Sequence, residues 1–295
     1  NESNQLSIGM KLSDNLESGR YTNKLIFSIL TNNYERIAIM TEGSDFNEKL
    51  KSLETSTNKI EHFKKSTVAP ATSMNAVNIE DEDSDYEIKL WLDSTDRIAY
   101  YYAEPEKVYL NEDSNRMFRD LSNLISLDVS NFDTSRVTNM EAMFGYMYGL
   151  TSLNITNFDT SQVTNMRDMF SNMRNLTSLS LTNFDTSKVT DMSDMFSNMF
   201  NLTTLDISNF DTSNVTKMNQ MFLLPNGYEY NDKLEKIYVN NDFNTSKLAE
   251  FSDMFKNRKK LRGGNGSYLP NPSTADKTWL RVDRPGVQGY FTRKP

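Results

Sequence analysis

Apolar residues recur at a spacing of 26 positions through the middle of the chain. The sequence Asn-Phe-Asp-Thr-Ser occurs four times, at residues 131–135, 157–161, 183–187 and 209–213. Other apolar columns keep the same register, and in the first copy they are Val137, Met140, Met143, Phe144, Leu150 and Leu153. So many columns in phase indicate a tandem repeat. A degenerate copy of the repeat begins at Met117. Another degenerate copy follows a six-residue insertion that lies at about 224–232.

Each repeat predicts one short strand and one short helix. Apolar residues alternate at the end of the Leu-x-x-Leu-x-Ile segment, as they do in a half-buried strand. The apolar residues from Met140 to Met147 lie at i, i+3, i+4 and i+7, which is one face of a helix. Thr138 and Glu141 match a capping box before that helix. Because one unit cannot bury its apolar face alone, we expect the units to stack. We therefore predict an α/β fold, a leucine-rich-repeat-like right-handed solenoid.

The residues before the repeats predict three segments. Alternating apolar positions in residues 1–34 predict a β-hairpin, whose pattern resembles the end of a truncated immunoglobulin-like domain. Residues 35–84 predict a helix from Asp45 to Leu53, followed by a polar and partly mobile linker. Residues 85–116 are rich in aromatic and β-branched residues and predict a β-rich N-terminal cap. The predicted strands of this cap are Tyr86–Leu92, Arg97–Tyr102 and Lys107–Leu110.

Caps are expected at both ends of the repeat region, because a stack of units leaves open apolar ends. The repeats, including the degenerate copies at both ends, occupy residues 117–265. Residues 266–295 contain Trp279, Tyr290 and Phe291 and are predicted to form the C-terminal cap.

Composition and charge restrict the possible chemistry. The formal net charge is −8, and no basic stripe is present to neutralise phosphates, so we expect no nucleic-acid partner. The basic cluster at residues 258–262 is interpreted as a solvated loop, with a polyanion site as the alternative. There is no cysteine, and the single histidine, His62, lies in a charged stretch. We therefore predict no enzyme activity, no cofactor and no bound metal. No apolar run of 18 residues occurs, so no membrane insertion is expected.

The repeat motif resembles a known family of bacterial surface proteins. The residues from Leu150 to Phe222 carry the pattern Leu-x-x-Leu-x-Ile-x-Asn-Phe-Asp-Thr-Ser-x-Val-Thr-x-Met-x-x-Met-Phe most cleanly. This pattern resembles the repeat of BspA-like leucine-rich-repeat proteins, and the resemblance covers about half of the chain. Members of that family often carry a cysteine after Met-Phe, where this chain has Met147, Met173 and Met199. The resemblance implies an extracellular protein, secreted or on a bacterial cell surface, with an adhesin-type role. It supplies no catalytic residues and no fixed ligand contacts.

A ladder of polar residues on the predicted strands is the first candidate binding site. These residues lie between the inward columns, so the stacked strands are expected to expose them. They are Asp128, Thr151, Asn154, Thr177, Ser180, Thr203 and Asp206. Solenoid proteins commonly bind ligands on such a face, but a solvated sheet that only maintains solubility is the alternative. Tyr100–Tyr102 is a second candidate platform.

Two acidic features could hold calcium. The motif aspartates Asp133, Asp159, Asp185 and Asp211 are expected to form a ladder of like charges. Hydrogen bonds to the backbone of the turn are the favoured explanation, and a calcium ion between the carboxylates is the alternative. The acidic run at residues 80–83 lacks the spacing of an EF-hand loop.

Three classes of function follow from these observations. The favoured one is a surface module that binds a protein or glycan on a host or a neighbouring microbe. The alternative is a structural spacer that displays another domain without a ligand of its own. The least favoured is a glycan-active enzyme that uses two of the acidic residues.

Overall fold

The computed structural model describes residues 35–295. The described secondary structure belongs to the unit formed by residues 36–295. The hairpin predicted over residues 1–34 lies outside the described residues. The helix and strands are α1 (Gly43–Ser52), β1 (His62–Lys65), β2 (Val77–Asn78), β3 (Lys89–Asp93), β4 (Ile98–Tyr102), β5 (Val108–Tyr109), β6 (Ser126–Leu127), β7 (Phe132–Asp133), β8 (Thr204–Asp206), β9 (Lys236–Val239) and β10 (Phe291–Arg293). Short 3-10 helices lie at Thr72–Met74, Glu229–Asn231, Pro272–Thr274 and Lys277–Trp279.

The predicted α/β leucine-rich-repeat-like solenoid, with a strand and a helix in each unit, is wrong. Within residues 35–295 the only α-helix is α1, which precedes the repeats. The sheets are small, with the strand orders β2-β3-β4-β1-β6, β10-β9-β8 and β5-β7. Most of each repeat consists of turns whose backbone bonds to the neighbouring repeat.

The methionine segments form a ladder between repeats in place of helices. The N–H groups of every second residue from Met140 to Tyr146 donate to carbonyl oxygens of the next repeat, from Asn165 to Ser171, at 2.8–3.0 Å. The same pattern continues from Met166 to Asn172 and from Met192 to Asn198. Since these N–H groups are used between repeats, they cannot form the i to i−4 bonds of a helix.

Residues in the left-handed backbone conformation explain why the helical spacing wrongly predicted a helix. In each unit the residue before the second methionine has a positive φ, as at Ala142 (52°), Asp168 (57°) and Asp194 (57°). A second such residue follows four positions later, as at Asn172 (62°) and Asn198 (59°). Most of these positions hold Asp or Asn, which tolerate this conformation better than other residues with a side chain. The turns still place apolar residues at i, i+3, i+4 and i+7 on one side.

The predicted strand of each repeat forms only at the two ends of the repeat region. There, β6 pairs in parallel with β1, and β8 pairs in parallel with β9. Residues 150–155 and 176–181 of the middle units form no strand, and one backbone bond, from Thr177 N to Thr151 O at 3.2 Å, joins them.

A column of stacked phenylalanine rings forms the core of the repeats. The rings of successive units lie 5.2–6.0 Å apart, with interplanar angles of 1–13°. The column consists of Phe118, Phe144, Phe170, Phe196, Phe222 and Phe255. The methionines of the repeats are buried beside it, as expected for residues that fill irregular gaps.

The Asn-Phe-Asp-Thr-Ser motif joins each repeat to both neighbours. The amide of Asn183 donates back to the carbonyl oxygens of Ile155 and Phe158 at 3.1 and 2.6 Å. The hydroxyl of the buried Thr160 donates to the carbonyl oxygen of Asp185 at 2.9 Å and accepts from its N–H at 2.8 Å. The Asn and Thr of the motif therefore recur because their side chains satisfy backbone groups of an adjacent unit.

Residues 36–116 cover one end of the repeats. Phe46 of α1 and Phe63 of β1 lie edge-on to Phe118, the first ring of the column, at 5.5 and 5.2 Å. The helix predicted at Asp45–Leu53 corresponds to α1, and the three predicted cap strands correspond to β3, β4 and β5 with shifted ends. Strand β5 pairs with β7 of the first complete repeat.

Residues 54–84, expected to be a partly mobile linker, are packed into the unit. They supply β1, which lies between β4 and β6 in the five-stranded sheet. Ile60, Phe63 and Ile79 are buried in the core. Polar composition gave a poor prediction here because three apolar side chains suffice to anchor a short segment against an open core end.

The C-terminal part covers the other end of the repeats. The Tyr290 ring lies 4.7 Å from Phe255, the last ring of the column, and Phe291 lies 4.7 Å from Phe243. Strand β10 extends the stack by pairing in parallel with β9. No helix among residues 35–295 is long and apolar enough to cross a membrane.

Candidate ligand-binding cleft

The predicted polar ladder is exposed, but much of its hydrogen-bonding capacity is used locally. Six of its residues are exposed and Asp206 is half-buried. Asp128 and Asn154 each accept a bond from the N–H two residues later, at 3.0 and 3.3 Å. Asp206 pairs with Lys294 at 2.7 Å. Of the ladder residues, Asp206 lies in a strand, and the others lie in bends or irregular segments rather than on one continuous sheet.

The middle residue of the second predicted platform is buried, and the other two are half-buried. The Tyr101 ring is inaccessible to solvent and stacks on Phe63 at 5.4 Å. Tyr100 stacks on Trp91 at 5.6 Å. Residues 100–102 therefore belong to the strand core of β4 and cannot present three aromatic faces to a ligand.

The insertion in the fifth unit creates a cleft of about 500 Å³ at the edge of the repeats. The extra residues lead into the short 3-10 helix at Glu229–Asn231 and place Tyr228 against Phe200, with ring centroids 5.5 Å apart. The side chains of Tyr228 and Tyr230 are 40% and 76% exposed, so both rings are accessible. The lining residues are Arg174, Asn175, Phe200, Asn201, Tyr228, Tyr230, Asn231, Lys233 and Lys260.

Two aromatic side chains and an arginine at equivalent repeat positions form a row that ends at the cleft. Tyr148, Arg174 and Phe200 occupy the same position in three consecutive repeats. The guanidinium of Arg174 lies 4.8 Å from the ring centroid of Tyr148, 5.6 Å from Phe200 and 5.8 Å from Tyr228. Contacts of this kind between a cation and aromatic faces hold Arg174 in place by electrostatic attraction. The row combines regular repeat positions with one residue from the insertion.

The cleft is cationic in a chain that is acidic overall. Its lining contains three cations and no Asp or Glu side chain. Within residues 35–295, Arg174, Lys233 and Lys260 form no ion pair with a carboxylate. The Nε atom of Arg174 is buried and has no hydrogen-bond partner. These unpaired donors make the cleft complementary to an anionic group.

A buried ion pair holds the insertion in position. The Arg258 side chain is 1% exposed and donates through Nη1 to Asp232 Oδ1 at 2.7 Å. Its other bonds go to the carbonyl oxygens of Phe222 (2.5 Å), Met199 (3.2 Å) and Phe196 (3.3 Å). Burial lowers the pKa of the Arg258 guanidinium, and Asp232 partly offsets this effect. One side chain thus ties three repeats to the end of the insertion.

The basic cluster at residues 258–262, predicted to be a solvated loop, contains both buried and exposed residues in the structure. Arg258 is buried, whereas Lys260 is exposed and lines the cleft. The cleft itself was missed, although the sequence contained a signal. Insertions into a regular repeat commonly lie on the binding face, and this one carries two tyrosines.

The motif aspartates cap turns. In each repeat one carboxylate oxygen accepts from the N–H of the serine two residues later, at 2.8–3.0 Å. Asn244 forms the same bond to Ser246 N at 3.0 Å, so the position needs an acceptor rather than a charge. Among the residues described, no group of three or more acidic, histidine or cysteine side chains is placed to hold a metal ion.

Two other carboxyl groups have a raised pKa, but they lie outside the cleft lining. Burial, reinforced by Asp168, raises the pKa of Asp194 to about 6. Burial also raises the pKa of Asp168, against the opposing effect of Arg167. Both residues are the left-handed residues of their turns, so a structural position accounts for their burial.

A family comparison places the repeats among related sequences. The family described as "Mycoplasma protein of unknown function, DUF285" matches residues 112–232 and, in a second overlapping match, residues 172–272. Together these matches span more than half of the chain. The chain belongs to the DUF285 family. All the lining residues of the cleft fall within the matched span.

No protein of established function matches the chain significantly. No solved structure matches it either. The DUF285 match therefore identifies the repeat family without supplying an activity, and the resemblance to BspA-like proteins stays a prediction.

Proposed function

We propose that this DUF285 protein is an adhesin-type binding module, secreted or displayed on a bacterial cell surface. Its ligand is a protein or glycan of a host or a neighbouring microbe. The surface location rests on the resemblance of the repeat to BspA-like surface proteins. The contact with the ligand rests on a feature of this chain, the cleft formed where the insertion interrupts the repeats.

The exposed aromatic surface of the cleft carries the proposal. Tyrosine and arginine are the residues that dominate the energy of binding surfaces, because they bury a large area and keep a polar group for hydrogen bonds. Here the exposed rings of Tyr228 and Tyr230 lie beside Arg174. A folding role explains the buried columns of the repeats, but it does not explain a tyrosine that is 76% exposed.

The cleft is also fixed before a ligand arrives. The Arg258 ion pair and the stacking of Tyr228 on Phe200 hold the insertion against the repeats. A surface that is already ordered loses little conformational entropy on binding, and this favours affinity.

Binding to an array of immobilised extracellular proteins and glycans tests the proposal. We expect Tyr230→Ala to weaken the observed binding at least tenfold, which corresponds to ~1.4 kcal/mol. The matched control is Tyr268→Ala, which removes another exposed tyrosine outside the cleft and should leave binding unchanged.

A second variant, Thr177→Lys with Ser180→Lys, examines the polar ladder. Loss of binding in this variant, with full binding by Tyr230→Ala, would assign the site to the ladder instead. If the chain binds nothing on a broad array, the structural-spacer function replaces the proposal.

A further inference from the structure

We propose that the cleft selects a saccharide that carries an acidic group, a carboxylate or a sulfate. This inference rests on the proposed binding function and specifies the ligand of the same cleft. Three independent properties of the lining support it: its charge, its exposed ring faces and its free hydrogen-bond acceptors.

The charge of the lining favours an anion. Arg174, Lys233 and Lys260 approach the cleft from different units, and its lining contains no carboxylate to neutralise them. In a chain of net charge −8, such a group of unpaired cations is a local departure from the rest of the molecule. Electrostatic complementarity of this kind favours anionic ligands and disfavours cationic ones.

The exposed tyrosine rings favour a ligand with a flat apolar face. Tyr228 is held by Phe200 behind it, and Tyr230 projects further into solvent. A pyranose ring presents C–H groups on one face, and it can pack on an aromatic ring while its edges stay hydrated. The volume of about 500 Å³ is in the usual range for small-ligand sites and fits a short saccharide rather than a long polymer segment.

Two asparagines supply acceptors for hydroxyl groups. Their amide nitrogens are already engaged, with Asn175 Nδ2 donating to Tyr148 O at 2.7 Å and Asn201 Nδ2 donating to Arg174 O at 2.9 Å. These bonds fix each amide so that its side-chain oxygen remains an acceptor. Sugar hydroxyls are donors and match this arrangement, whereas an unprotonated carboxylate alone offers no donor.

Titration with small probes tests the ligand class. Sialyllactose, a glucuronic-acid disaccharide and a sulfated disaccharide are the acidic probes, and lactose is the neutral one. We expect at least one acidic probe to bind at least tenfold more tightly than lactose. Raising the salt concentration should weaken that binding, because the attraction is electrostatic.

The decisive variant is Lys233→Gln with Lys260→Gln. It should weaken binding of the acidic probe at least tenfold and leave the thermal midpoint unchanged, since both side chains are exposed. The control is Lys188→Gln with Lys247→Gln, which removes the same charge at exposed positions outside the cleft. This control should bind the acidic probe as the natural chain does.

Equal affinity for lactose and the acidic probes, or full binding by the Lys233 and Lys260 variant, would overturn the inference. Tighter binding of a glutamate-rich peptide or of inorganic phosphate would overturn it in favour of another anion. If ligands on the array depend on Tyr230 but no acidic sugar binds, the binding function survives and only this ligand class fails.

Discussion

Asp168 and Asp194 occupy matching left-handed positions of neighbouring repeats, and their partial burial links protonation to folding. The pKa of Asp194 is about 6 in the folded chain, against an ordinary value of 3.8. The folded state therefore binds a proton more readily than the unfolded chain. This stabilising effect is fully present below about pH 4 and is lost as the pH rises through about 6.

Asp194→Asn should remove this dependence. Asn keeps the shape of the side chain and also tolerates the left-handed conformation. We expect the variant to be more stable than the natural chain at pH 7 by about 1 kcal/mol, after allowance for the solvent-exposed part of the carboxyl group. The difference should shrink at pH 5, as measured by chemical denaturation at both values. Asp185→Asn is the control at an exposed turn, and an equal gain there at pH 7 would contradict the explanation.

For single residues, the sequence indicated solvent exposure better than it indicated hydrogen bonds. The ladder residues from Asp128 to Asp206 were correctly expected to face solvent in all but one case. Their local bonds were not visible in the sequence, because turn caps depend on the backbone conformation. Arg258 gives the opposite lesson, since a charged residue in a basic run is fully buried only because Asp232 and three carbonyl oxygens meet it there.

At the scale of the element, the methionine segment shows that helical spacing does not establish a helix. A turn that repeats every four residues places apolar side chains at the same positions as a helical face. The distinguishing signal was an Asp that recurs directly before Met-Phe, at Asp168, Asp194 and Asp253, each of which has a positive φ. The spacing predicted the buried face correctly, but the hydrogen-bond partners lie in the next repeat.

Gln220 tests this explanation of the turn. It has a φ of 56°, and its side chain forms no hydrogen bond within the part of the chain described. Gln220→Val should lower the free energy of unfolding by about 1–2 kcal/mol, because a β-branched side chain is strained in this conformation. Gln220→Gly should be near neutral, since relief of strain offsets the greater freedom of the unfolded chain. Denaturation of both variants checks this, and equal losses would contradict the conformational explanation.

The insertion has its own prediction, because a single buried pair holds it. Arg258→Ala leaves Asp232 buried without its partner, and we expect a loss of about 3–5 kcal/mol of stability in thermal or chemical unfolding. The double variant Arg258→Met with Asp232→Leu should recover most of this loss, because it removes both charges and keeps the volume. Arg262→Met, at a half-exposed position of the same run, should cost little. A double variant as unstable as the single one would show that the carbonyl bonds dominate instead.

For the whole molecule, the repeat period, the position of the units and the presence of aromatic caps were readable from the sequence. The column positions from Phe118 to Phe255 predicted a shared core, and the rings do stack in register. The secondary structure of the units was not readable, because inter-repeat bonds replace the local bonds that sequence patterns report. The cleft required the position of the insertion relative to Arg174, which only the folded stack provides.

Removal of one complete unit tests the independence of the repeats. Deleting residues 131–156 joins Ser130 to Asn157 in register, and Phe118 then faces Phe170. We expect the variant to fold with lower stability, since one interface is lost. It should retain ligand binding with reduced affinity, because all the lining residues remain but Tyr148, which contacts Arg174, is removed. Deleting residues 131–143 breaks the register and should prevent folding. Circular dichroism and unfolding curves check both, and failure of the in-register deletion would show that the units are not interchangeable.

The Phe column gives every joint between the central units nearly the same geometry, with ring spacings of 5.9–6.0 Å. Genes for such chains are prone to unequal recombination, and an exchange in register adds or removes whole units at a joint that already exists. The two ends and the insertion would pass through such an event unchanged. Strains that differ only in repeat number would then hold the same cleft at different distances from the N-terminal sheet. The distance of the cleft from that sheet would vary among them, while the residues that line the cleft would stay the same.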